Sequence, residues 1–155
     1  MGQDRFVELL GTVFEETPGI AKQVWSERPF ENISDLHQKM VTIVEHMSLS
    51  EKLDLINAHP QLGSKHQMAV ASVQEQTSVG LDQISQPMYQ RLSQLNTDYQ
   101  KKFGFPFVMA IKGQTRETVL TEFENRLHRS QEDELKQALL EIAKIARLRL
   151  NDLID

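Results

Sequence analysis

The chain contains no cysteine. That absence removes disulfide frameworks, thiolate nucleophiles and sulfur-ligated metals together, although it names no compartment. Basic residues are also scarce: 17 Lys and Arg stand against 22 Asp and Glu, a net charge of -5, with no dense basic run. A phosphate backbone would find little to hold it, so no nucleic-acid partner is expected. No apolar run approaches the roughly 20 residues that span a bilayer, and MGQDRFVELL has no positive region leading into an apolar core. A soluble, cytoplasmic protein without a membrane partner is the expectation. The motif inventory is equally empty. The histidines, His37, His46, His59, His66 and His128, form no HExxH pair or zinc-like spacing, and GxSxG, phosphate-loop and GxGxxG patterns are missing. Chemistry here would rest on acid-base and electrostatic work without metal or organic cofactor.

What remains is helical. A length of 155 residues suits one domain, 1–155, with a real core, and 39% hydrophobic against 25% charged residues is ordinary globular material. The 3.6-residue period predicts a helix over 4–16, then a short one from Pro18 to near Pro29. Ser34 reads as the N-cap of a helix carrying Leu36, Met40, Ile43, Val44 and Met47. Further helices are expected over 72–84, from Pro87 to Phe103 with Gly104 as the stop, over 115–127 and over 132–154. The fold class is therefore all-α, a single-domain multi-helix bundle. Residues 61–71 suggest a loop or a broken helix.

Four places depart from this rhythm. Ser48 and Glu51 form a capping-box pattern, Leu49, Leu53 and Ile56 follow at helical spacing, and Pro60 ends the helix at His59. His59 shares the apolar face of Leu55 and Ile56, so its ring should point inward, where the negative end of the helix favours the protonated form. It is either a packed core histidine or a proton carrier. Ser72 with Glu75 reads as a second capping box, or as a helix start whose free N–H groups hold a ligand oxygen while Glu75 and Gln76 face it. The segment near residues 105–111 is extended and apolar with no second strand to pair with, so its backbone bonds go to helix ends, side chains, water or a ligand. On the last helix, Arg149 lies about 50° from the centre of the apolar stripe and Arg147 about 110°. An inward guanidinium needs a carboxylate of the protein or an anionic substrate.

The motifs AHPQLG (58–63), SVQEQ (72–76), GLD (80–82), LNTDYQKKFGFPFVMAIKG (95–113) and EIAKIARLRLNDL (141–153) together resemble the 2-oxo-4-hydroxy-4-carboxy-5-ureidoimidazoline (OHCU) decarboxylases of the urate pathway. The resemblance covers nearly the whole chain, and between Gly63 and Ser72 the sequence is a few residues shorter than the family pattern. It implies a small all-helical enzyme, usually a homodimer and free of cofactors, that removes carbon dioxide from OHCU and yields S-allantoin. By motif, it implies His59 as catalytic acid/base and Glu75 as the principal carboxylate. Pro60 would line the pocket, and Ser72, Val73, Gln74 and Gln76 would contact the ring and ureido groups. Phe107, Val108, Met109, Ala110 and Ile111 would supply an extended backbone edge, and Arg149 the pocket arginine. Loss of carbon dioxide would leave an enolate-like intermediate to which His59 returns a proton from one face. A non-catalytic helical interaction module is the alternative from another class, since it would show the same amphipathic helices.

Overall fold

A computed structural model describes residues 2–15, 17–63, 70–78, 80–81 and 84–154. Among the described residues there is no strand, and the fold is all-α. Its elements are α1 (Gln3–Leu10), α2 (Gly19–Val24) with a 3-10 turn (Trp25–Glu27), α3 (Ile33–Glu45), α4 (Leu49–Ala58), α5 (Val70–Ser78), α6 (Gln86–Phe103), α7 (Arg116–Arg126) and α8 (Gln131–Ile154). The last helix is the axis of the bundle: α1, α3, α4 and α6 all pack on it. Its buried stripe, Ala138, Ile142, Ile145, Ala146 and Leu150, joins one hydrophobic core with the inward residues of the other helices. No helix among the described residues is long and apolar enough to cross a membrane.

Several boundaries differ from the sequence reading: α5 ends at Ser78, not at 84, and three others differ for a local reason. α1 stops at Leu10, not near residue 16, because Gly11 closes the last turn onto the Val7 carbonyl and lies against Pro18, where a Cβ would come within 3.1 Å of the proline Cβ. The chain turns there, and Val13 and Phe14 are buried by that turn. α3 is capped by Asn32, whose side chain accepts from the Asp35 N–H, so Ser34 lies inside the helix. α5 already runs from Val70, which makes Ser72 its third residue and removes it as an N-cap. The shortened stretch after Gly63 falls mostly on 64–69, outside the described residues.

Elsewhere the local chemistry reads as expected. Ser48 accepts from the Glu51 N–H and Glu51 from the Ser48 N–H, the reciprocal capping box. Leu49, however, is exposed, and the buried face of α4 belongs to Leu55 and Ile56. Ser85 caps α6, Pro87 sits in its first turn, and Gly104 ends it with φ +81, a conformation a side chain would strain.

Side chains hold two of the backbone groups of the extended stretch 105–111. The Val108 carbonyl accepts from Arg126 Nη1 at 2.7 Å, and the Ala110 N–H donates to Glu141 at 3.1 Å. Arg126 is itself buried with Glu134 (Nε to Oε1, 2.8 Å), which also accepts from the Tyr99 hydroxyl. Phe107 stacks on Phe123 with centroids 3.9 Å apart. Removing one member of the Arg126–Glu134 pair would strand a buried charge at a cost of about 3–5 kcal/mol. The bonds of Val108 and Ala110 fix which way the strip faces: alternation turns the intervening Met109 amide to the opposite side, where no described residue bonds it.

Candidate active site

The C-terminus of α4 meets α5, the 105–111 strip and α8 around a cleft of about 30 Å³. His59, Pro60, Leu62, Glu75, Gln76 and Arg149 line it, with Phe107, Val108, Met109, Ile111 and Ile145 as its apolar wall. That space suits a water or two and is too small for a ring. A second cavity of about 320 Å³ adjoins it, lined by Thr12, Gln74, Lys112, Asp152 and Leu153 and by the same Glu75 and Arg149. The glutamate and arginine thus border both spaces.

His59 leaves the helix with φ -78 and ψ 137, the extended conformation that Pro60 imposes on its neighbour. The residue is 6% exposed, and its ring lies with Nδ1 2.9 Å from the Leu55 carbonyl, one of the acceptors left over at the helix end. A carbonyl only accepts, so Nδ1 carries the proton of the neutral ring and Nε2 presents a lone pair. Nε2 is buried and has no hydrogen-bond partner among the described residues. Burial pushes the ring's pKa down to about 4, more than the Leu55 bond and the charge of Glu15 hold it up, and Arg149 adds to the fall. The expected preference for the protonated form is therefore overturned. The helix end does act on this ring, but desolvation is the larger effect.

Arg149 points inward and its partners are protein carboxylates. Nε and Nη2 each donate to Glu75 at 2.9 Å, a two-pronged pair, while Nη1 lies 3.0 Å from Glu15 and also donates to the Thr12 and Val13 carbonyls at 3.3 and 3.5 Å. Burial alone would lower the guanidinium's pKa, but Glu75 and Glu15 together hold it above its ordinary value. Arg147 stays at the rim, donating to Ser34 and Asn151.

The remaining candidates separate by position. Gln76 holds the loop after His59, accepting from the Gly63 N–H at 2.9 Å and donating to the Gln61 carbonyl. Gly63 has φ +69, and a Cβ there would collide with Leu92, so the loop and the glutamine fit one another closely. Gln74 lies on the larger cavity, and Val73 is 43% exposed and lines neither space. The Ala110 N–H is committed to Glu141, and the side chain of Ser72 lies outside what the structure describes. Glu15 was not legible as a site residue, because FEETPG read as helix end and punctuation.

A family model described as OHCU decarboxylase matches residues 1–151. The chain is 42% identical over 151 residues to the 2-oxo-4-hydroxy-4-carboxy-5-ureidoimidazoline decarboxylase of Halalkalicoccus jeotgali, covering 97% of this chain and 86% of that protein. It is also 42% identical over 154 residues to the uric acid degradation bifunctional protein of Bacillus subtilis, covering 99% of this chain but 31% of that longer protein. Among solved structures it superposes on OHCU decarboxylase in the presence of (S)-allantoin with a TM-score of 0.76 and 27% identity, covering 98% of both chains. With that fold, and with the family match running through every motif that lines the cleft, the chain belongs to the OHCU decarboxylase family.

Proposed function

We propose that this chain is a carboxy-lyase that converts OHCU to S-allantoin in urate breakdown, with no metal or organic cofactor. The observation that carries the chemistry is the Nε2 of neutral His59, without a partner among the described residues and buried in the same cleft as Arg149. Burying an unsatisfied acceptor costs stability, which a purely structural module gains nothing by keeping.

The substrate's connectivity assigns the proton work. In OHCU one ring carbon bears both carboxylate and hydroxyl, and its neighbour bears the ureido group and a ring C=N. When the carboxylate leaves as carbon dioxide, its bonding pair forms a C=C with the neighbouring carbon and the C=N pair moves to nitrogen, which takes up a proton from water. The resulting enol loses its hydroxyl proton while the ureido-bearing carbon gains one, and the carbonyl of allantoin appears. A neutral imidazole with its lone pair inward can take the enol's hydroxyl proton and deliver a proton to the ureido-bearing carbon from one face. Arg149 would recruit the anionic substrate by exchanging Glu75 for the substrate's carboxylate. The displaced Glu75 would then accept from ring or ureido N–H groups, and that exchange would merge the two cavities into a space that holds a ring. The amide of Met109, turned away from Arg126 and Glu141, suits a ureide edge.

The test is direct. Freshly generated OHCU with the protein should give the optical rotation of S-allantoin, faster than the spontaneous reaction; an unchanged rate and a racemic product would reject the reading. The pH profile is a second check. Because the free protein's His59 takes up a proton only near pH 4, kcat/KM should stay level from neutrality down to about pH 5 and fall below it. An acid limb at the ordinary histidine value of 6.5 would place the working base elsewhere. On the family resemblance we also read residues 1–155 as one domain and the active species as a cytoplasmic homodimer, and light scattering at assay concentration should give twice the chain mass.

A further inference from the structure

Two carboxylates share Arg149, and they differ in a way that bears on the reaction. Glu75 is 19% exposed and borders both cavities, whereas Glu15 is 2% exposed and lies at neither. The turn after α1 builds the Glu15 side. Gly11 breaks the helix, buried Val13 and Phe14 anchor the loop, and the Thr17 hydroxyl donates to the Glu15 carbonyl at 2.8 Å. That loop also brings the Thr12 and Val13 carbonyls to Nη1. The Nη1 corner is thereby fixed from behind, and the Nε/Nη2 edge, now on Glu75, is the edge turned toward α5 and the cavities.

We infer that Glu15 is a positioning residue for the decarboxylation, the permanent counter-ion that aims Arg149 and limits how tightly it grips the leaving carboxylate. This rests on the decarboxylase reading. The physical reason is differential binding. A carboxylate loses its charge as it becomes carbon dioxide, so an uncompensated guanidinium stabilises the ground state more than the transition state and raises the barrier. A fixed buried carboxylate on the far side of the guanidinium weakens that hold while leaving enough attraction to recruit the anion. Glu15 also acts on His59 electrostatically, as does Arg149, and Glu75 is the other charged group among the described residues that line the cleft.

Glu15→Gln keeps an acceptor for Nη1 and removes the charge. The expected result is a split: KM about threefold lower and kcat about fivefold lower, the pattern of a ground state held too well. The acid limb of kcat/KM should move to lower pH, because a carboxylate that favours the protonated ring is gone. Glu15→Asp retains the charge one methylene further away and should show the same signs with smaller size. It also serves if the Gln variant fails to fold. A KM that rises or stays unchanged, or an acid limb that does not move, would overturn the inference, as would Glu15→Asp with wild-type constants if it is the variant that folds. Absence of turnover in the wild-type protein would instead reject the decarboxylase reading itself.

Discussion

Replacing His59 by Asn is expected to leave a folded protein that turns OHCU over more slowly by a factor on the order of 100 or more. The substitution keeps a polar side chain of similar reach but removes the group that cycles a proton, and among the described residues no other histidine lines the cleft. Near wild-type turnover would return His59 to the role of a packed core residue. Stability supplies a second readout with a definite sign. An unfolded His59 takes up its proton near pH 6.5 but the folded ring only near 4, so between these values the unfolded state binds more protons. The wild-type protein should therefore lose roughly 3 kcal/mol from this residue as pH falls through that window, and all of that contribution is present above it. Urea unfolding at pH 4.5 and 7 should show a smaller difference between the two pH values for His59→Asn than for wild type.

How far the sequence carries depends on whether a feature is set locally. The capping box of α4, the glycine stop of α6 and the inward turn of Arg149 follow from spacing and residue chemistry, and each is legible without tertiary knowledge. The inward extended strip was legible too, as a place where backbone partners are missing. Which side chains would supply them was not, because Arg126 and Glu141 lie 18 and 31 residues away in the chain. The same limit hid Glu15, whose partner is 134 positions on, and whose inward direction depends on α1 stopping early at Gly11. His59 shows the limit of a local electrostatic argument. The helix end pulls its pKa one way, but burial by elements distant in sequence pulls harder.

Arg149→Lys is the second large effect expected, with Arg147→Lys as its control on the same helix. Lysine keeps the positive charge as a single point, so it cannot hold Glu75 with two parallel bonds while Glu15 and two carbonyls hold the opposite corner. If the same fork exchanges Glu75 for the substrate's carboxylate, losing it should cost about 2 kcal/mol in kcat/KM, or ~30-fold. Buried as it is, the lysine should also reduce stability, so turnover must be read on protein shown by urea unfolding to be folded at the assay temperature. Among the described residues Arg147 bonds to Ser34 and Asn151 at the rim, and it borders grooves that do not include His59, so its replacement should change kcat/KM by less than about twofold. An Arg149→Lys protein that is folded and fully active would mean that the two-pronged pair with Glu75 is a structural lock and that the substrate's carboxylate is held by other groups.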